Sequence, residues 1–150
     1  MMFIHKTCRA LGQLTPLVLI CLVLASGCNS RPALVPVSGQ VKIDGKPLQQ
    51  GTVAVWIKDY RPAYGLIDQD GRFAMMTHAP GDGCVMGEHP VTVTSALEFK
   101  GDTTKHFIPK KYSDPRQSNL KVTVAEPKQD WVIDLTWKVD PDHKGPWIEK

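Results

Sequence analysis

Hydrophobic and polar residues alternate over most of the chain beyond residue 34, and this period of two is typical of half-buried β-strands. The first such segment, 35–43, has valine, glycine or isoleucine at every second position. The last, 131–137, has Trp, Ile, Leu and Trp on one face. The predicted strands are 35–43, 51–57, 63–68, 72–76, 90–95, 120–124 and 131–137. Their number and spacing predict an all-β fold, a seven-stranded antiparallel Greek-key sandwich.

The segments between these strands carry turn and loop residues. Asp-Gly pairs at 44–45 and 70–71 predict tight turns, because glycine tolerates positive φ and aspartate bonds its own backbone. Segment 77–87, with three glycines and a proline, is predicted to be a loop. Residues 97–119 are predicted to form a long polar connection, and residues 138–150 a loose, polar C-terminal tail.

The N-terminus has the pattern of an export signal. A basic start containing Lys6 and Arg9 is followed by nine apolar residues, 17–25, too few to span a bilayer. Ala25-Ser26-Gly27-Cys28 then resembles a bacterial lipobox, although Ala25 stands where leucine is usual. The resemblance implies that residues 1–27 are removed as a lipoprotein signal peptide and that Cys28 carries a diacylglycerol.

Three regions would then make up the mature chain: the lipidated N-terminus and linker 28–36, the domain 37–137 and the tail 138–150. Such a protein is exported and lipid-anchored in the cell envelope. By the sorting rule for such lipoproteins, Asn29 after the cysteine favours the outer membrane. The alternative is an ordinary secretory signal in which Cys28 has no special role.

The charge balance bears on nucleic-acid binding, and the number of cysteines bears on disulfide formation. Of the 18 basic and 15 acidic residues, the predicted leader holds only Lys6 and Arg9, which leaves 16 basic against 15 acidic side chains. Such a balance gives no strongly basic face for nucleic acid. If Cys28 is acylated, Cys84 is the one remaining thiol of the mature chain, so no intramolecular disulfide is expected. We expect Cys84 to be buried, the alternative being a free reactive thiol.

A family resemblance emerges from several motifs in order. They are Val37-x-Gly39-x-Val41, Asp44-Gly45-Lys46-Pro47-Leu48, Gly51-x-Val53, Asp70-Gly71-x-Phe73 and Gly87-x-His89-x-Val91-x-Val93. Together they resemble carboxypeptidase regulatory-like domains, and in particular the small lipoproteins of that type from planctomycete bacteria. In the last motif, His89 stands where the family usually has tyrosine. The resemblance implies a transthyretin-like (prealbumin-like) β-sandwich and an accessory, noncatalytic role.

No motif of an enzyme or a metal site stands out. The histidines of the mature chain (His78, His89, His106 and His143) form no H-x-H or H-x-x-x-H pair, so we expect no metal and no cofactor. Because Asp70 and Asp82 each precede a glycine, turn formation explains them better than calcium binding. His89 is expected at a half-buried strand position.

The aromatic residues are the remaining candidates for binding. Trp131 and Trp137 are expected in the core. Trp56 lies out of phase with Val53, Val55 and Ile57 and is expected to face outward, so Trp56, Tyr60 and Tyr64 are the candidate recognition surface.

These observations predict a noncatalytic, membrane-anchored lipoprotein with a structural or protein-interaction role in the cell envelope. Its expected partners are the membrane, through the lipid, and other envelope proteins or glycans, with no nucleic acid. The alternative is a carbohydrate- or peptide-binding module that uses exposed aromatics.

Overall fold

The computed structural model describes residues 31–99 and 102–149. The predicted signal peptide and Cys28 lie outside these residues. The strands are β1 (Leu34–Val35), β2 (Val37–Ile43), β3 (Lys46–Pro47), β4 (Gly51–Val55), β5 (Ala63–Ile67), β6 (Arg72–Ala74), β7 (Cys84–Val85), β8 (Gly87–Thr94), β9 (Ala96–Phe99), β10 (Thr103–His106), β11 (Leu120–Val124), β12 (Lys128–Leu135) and β13 (Trp147–Glu149). Short 3₁₀ helices occupy Lys110–Ser113 and Trp137–Val139.

Two four-stranded sheets contain all seven strands that the alternation predicts. Sheet 1 has the order β11-β8-β4-β5, and every pair in it is antiparallel. In sheet 2, β2 pairs with β12 along one edge and with β3 and β6 along the other. The all-β prediction is therefore confirmed at the level of fold class.

One hydrophobic core joins the two sheets. Sheet 1 contributes a set of valines, and sheet 2 contributes valines together with larger side chains from β6 and β12. The buried members include Val53, Val55, Val91, Val93, Val122 and Val124 from sheet 1 and Val37, Val41, Phe73, Trp131, Ile133 and Leu135 from sheet 2. Burying each such side chain stabilises the fold by about 1.5–3 kcal/mol, which makes this layer the main source of stability.

The two Asp-Gly turns form as predicted. Asp44 and Gly45 have φ values of 46° and 79° and join β2 to β3 as a two-residue hairpin. At the second turn, Asp68 Oδ1 accepts from the backbone N–H groups of Asp70 (2.9 Å) and Arg72 (2.8 Å). This turn carries the chain from β5 in sheet 1 to β6 in sheet 2.

The expectation that every pair is antiparallel is wrong, because β2 and β12 are parallel. Alternation encodes which face of a strand is buried and says nothing about the direction of its neighbour. The last predicted strand also ends early, at Leu135, and Trp137 begins a 3₁₀ helix instead.

Three segments predicted to lack strands also need correction. In the predicted loop 77–87, Cys84–Val85 forms β7, which pairs antiparallel with β1, and β8 begins at Gly87. The connection 97–119 contains part of β9, all of β10 and the 3₁₀ helix Lys110–Ser113. The tail 138–150 contains β13, which pairs antiparallel with β10, so β9, β10 and β13 form a third sheet. Half-buried Thr103–His106 shows no apolar alternation, which explains why the sequence pattern missed this sheet.

Candidate functional site

The outer face of sheet 1 presents three large apolar side chains to solvent. In β5, Ala63, Gly65 and Ile67 point into the core, so Tyr64 and Leu66 point outward, with 39% and 67% of their surface exposed. Trp56, directly after β4, is also 39% exposed, which confirms its predicted outward orientation. We call Trp56, Tyr64 and Leu66 the outer face.

Hydrogen bonds to neighbouring strands fix Trp56. Its backbone N–H donates to the Pro90 carbonyl at 2.9 Å, and its indole Nε1–H donates to Thr92 Oγ1 at 3.0 Å. Thr92 is buried, so this bond also satisfies a hydroxyl that solvent does not reach. The indole is therefore held in one orientation on the sheet while much of its surface stays exposed.

Tyr64 is fixed from both sides by the backbone. It pairs with Ala54 of β4, and it exchanges two hydrogen bonds of 2.8 and 2.7 Å with Met76. Ala54 in turn pairs with Thr92. Since Ala54 and Thr92 are small and buried although they lie on the outer side of the sheet, the large neighbours cover them.

Tyr60, the third aromatic of the predicted recognition surface, has a different environment. It is half-buried and packs against the core, and its hydroxyl lies 2.8 Å from His78 Nε2. Arg61 donates to His78 Nδ1 at 3.3 Å, so the ring proton lies on Nε2, which donates to the Tyr60 hydroxyl. Tyr60 thus stabilises its loop and contributes less to the exposed surface than Trp56 and Tyr64 do.

Asp82 organises the loop that carries His78. Its carboxylate accepts from the backbone N–H groups of Thr77 (2.6 Å), His78 (2.8 Å) and Ala79 (2.9 Å). Desolvation opposes ionisation of Asp82, but the bonds from Thr77, Ala79 and His78 together outweigh it and lower its pKa below 3.8. The predicted turn role of Asp82 is confirmed.

Cys84 and His89 occupy buried positions. Burial raises the pKa of the Cys84 thiol to about 11, so the reactive thiolate is scarce near neutral pH. His89 Nε2 donates to the Val85 carbonyl at 3.0 Å. The expected burial of Cys84 is confirmed. His89 lies on a strand as predicted, in β8, but it is buried where a half-buried position was expected.

A stacked cluster in the C-terminal region was not predicted. The Trp147 ring lies between the rings of His106 and His143, with centroid distances of 4.5 and 4.1 Å. Glu149 accepts from Lys110 Nζ at 2.5 Å and contacts His106 Nε2 at 3.1 Å. This cluster ties β13 to β10 and to the 3₁₀ helix Lys110–Ser113.

Within residues 31–99 and 102–149, no three His, Cys, Asp or Glu side chains come together in a group able to hold a metal ion. Among the same residues, no helix is long and apolar enough to cross a bilayer.

Comparisons with known proteins do not identify a family for this chain. No protein-family model matches the chain, and no curated protein matches it. Among solved structures, a 9R-lipoxygenase from Cyanothece PCC8801 is similar over 85% of this chain with a TM-score of 0.35 and 16% identity. The chain spans about a fifth (21%) of that lipoxygenase. A likeness this weak carries no argument about function.

Proposed function

We propose that this protein is a noncatalytic, lipid-anchored β-sandwich of the bacterial cell envelope that binds another envelope protein through the outer face. The anchor follows from the lipobox-like sequence before Cys28. The resemblance to carboxypeptidase regulatory-like domains suggests a prealbumin-like, Greek-key arrangement, and two sheets around one core agree with it. The expected location is the outer membrane or its periplasmic face.

The exposure of Trp56, Tyr64 and Leu66 on one face of sheet 1 is the observation that carries the proposal. The bond to Thr92 holds the Trp56 indole in one orientation, and sheet pairing fixes the backbone from which Tyr64 and Leu66 project. Less conformational entropy is then lost at Trp56 on association, and large aromatic side chains of this kind dominate protein interfaces.

The bonding of the reactive groups supports a noncatalytic role. Cys84 is protonated and buried, Asp82 is used by three backbone groups, and His78 is held between Tyr60 and Arg61. Burial or hydrogen bonds within the fold account for each of these three groups. None of them is arranged as a nucleophile beside a general base.

Site-specific photo-crosslinking in intact cells tests the proposed interface. A benzophenone amino acid at Leu66 should give a discrete crosslinked product with a second envelope protein. The same probe at Val132, which is 48% exposed on β12 of sheet 2, should give none and serves as the matched control. The combination Trp56→Ala with Tyr64→Ser should remove the Leu66 product while the purified variant remains folded. Equal products from both positions, or none from Leu66, would contradict the proposal.

A carbohydrate- or peptide-binding module is the second candidate, favoured by the two aromatic side chains exposed on one face. Aromatic rings can stack on sugars or on peptide side chains. Titration with soluble envelope oligosaccharides while Trp fluorescence is followed separates the two functions. A saturable change that is lost in Trp56→Ala would support the carbohydrate module.

A further inference from the structure

A cleft of about 670 Å³ lies between the β2–β3 region and the C-terminal segment. Its walls come from residues 43, 44 and 46–50, from Phe107 and Trp137, and from residues 144–146. A second cavity of about 400 Å³ shares Asp44, Trp137 and Lys144 with it. Sites for small molecules in proteins typically enclose roughly 300–1,000 Å³, so the cleft has the right size for one.

The side chain of Gln50 provides an unused hydrogen-bond donor at this cleft. Its Nε2 is buried and has no hydrogen-bond partner among the described residues. The backbone is held in place, because the Gln50 backbone carbonyl accepts from the buried Ser95 hydroxyl at 2.8 Å. The Nε2 atom itself is enclosed by protein atoms, so the side chain rotates toward the cleft when a ligand oxygen binds it. A buried donor without a partner is costly, and such a bond removes that cost.

Charge around the cleft is positive. The ammonium groups of Lys46 and Lys144 form no ion pair with any described residue. The one acidic lining residue, Asp44, is already engaged: its carboxylate accepts from Thr136 Oγ1 at 2.7 Å and from the Trp137 backbone N–H at 3.4 Å. Two lysine cations and an amide donor together favour an anionic oxygen ligand.

Apart from Gln49, the rest of the lining is apolar. Leu48 and Trp137 are buried, and Phe107 packs against the core, so these side chains form a firm wall. Ile43, Pro47 and Pro146 extend it. Such a wall favours a ligand with a hydrocarbon or aromatic body.

We propose that the cleft binds a small monocarboxylate with an apolar tail. The carboxylate accepts hydrogen bonds from the Gln50 amide and from Lys46 or Lys144, and the tail lies against Leu48, Phe107 and Trp137. This site is separate in sequence from the outer face and does not depend on its role.

Isothermal titration of the full chain in nonionic detergent, with empty micelles as the blank, tests the proposal. The probe is 4-phenylbutyrate. 4-Phenylbutanol has the same tail without the charge, and acetate has the charge without the tail. We expect saturable binding of 4-phenylbutyrate, at least about tenfold tighter than either control compound and weaker at high salt.

Variants locate the site. Gln50→Leu should weaken 4-phenylbutyrate binding about tenfold, since it removes a donor to a charged group. Lys46→Gln and Lys144→Gln should each weaken it about threefold, and Lys58→Gln, outside the lining, should leave it unchanged. Gln50→Leu should not lower the thermal midpoint, because the amide nitrogen it removes has no partner among the described residues. The lysine variants keep the test valid if Gln50→Leu misfolds.

Three results would overturn the proposal. They are no binding of 4-phenylbutyrate at millimolar concentration, equal binding of the acid and the alcohol, or wild-type affinity in the folded Gln50 and lysine variants.

Discussion

Replacing Gly39 with alanine tests the contact that joins β2 to its parallel neighbour β12. A Cβ atom on Gly39 would lie 1.9 Å from the Trp131 carbonyl oxygen and 3.1 Å from Phe73 Cζ. Ordinary non-bonded contacts between heavy atoms are about 3.5–4.0 Å, so the strands must separate by more than about 1 Å at this point. That movement would break the ladder between β2 and β12 and pull Ile133 and Leu135 from the core.

Gly39→Ala is expected to lower the free energy of unfolding by about 3 kcal/mol or more, the upper end of the usual range for overpacking. For a domain of this size it corresponds to a fall in the thermal midpoint of about 12 °C, at about 4 °C per kcal/mol. Two other glycines separate the steric cause from backbone strain. Gly45 has φ 79°, and a Cβ added there would meet no atom within 4 Å, so Gly45→Ala reports strain alone, about 1–2 kcal/mol. At Gly145 an added Cβ would meet no atom within 4 Å and φ is not in the positive region. Gly145→Ala should therefore change the free energy of unfolding by less than about 0.5 kcal/mol.

Residues 32–150 form one compact unit. Urea unfolding of the three variants of this fragment, followed by circular dichroism, measures these differences. The expected order of loss is Gly39→Ala, then Gly45→Ala, then Gly145→Ala. A Gly39→Ala protein as stable as wild type, or no more damaged than Gly45→Ala, would refute the close approach of β2 and β12.

Three further predictions concern single side chains. Trp56→Ala should cost about 2 kcal/mol, because it removes the bond to buried Thr92 and the covered part of the indole, whereas Trp131→Ala in the core should cost about 3–5 kcal/mol. Equal losses in urea unfolding would contradict the assignment of Trp56 to the surface. The lowered pKa of Asp82 means that its stabilising effect is present above pH 3.8 and is lost as the pH falls through the folded-state value. The stability gap between wild type and Asp82→Asn should therefore be present at pH 7 and close on acidification below pH 3.8, and a gap that does not change with pH would count against it. Cys84 should resist a thiol reagent at pH 8 until the protein is unfolded in urea, since its pKa is about 11; rapid labelling of the folded protein would disprove burial of the thiol.

Sequence reasoning located the strands well where one face is buried. Segments such as 90–95 and 120–124 alternate because their valines point into a shared core, so the period of two is a direct record of burial. The same reasoning placed Trp131 in the core and Trp56 at the surface.

The features that could not be predicted from the sequence depend on contacts between distant segments. The pairing of β13 with β10 joins two short, mixed-polarity strands about 40 residues apart, with no apolar alternation to mark them. The cleft at Gln50 has walls from three separate parts of the chain. Tyr60 looked equivalent to Tyr64 by residue type, and only its contact with His78 shows the difference.

The proposal that this is a lipid-anchored envelope protein is tested most directly by the intact mass of the protein purified from membranes. The account predicts a chain that begins at Cys28, carries the added mass of a diacylglycerol, and loses that modification in Cys28→Ser. A mature chain with an unmodified N-terminus, whether it begins at Cys28 or elsewhere, would contradict it.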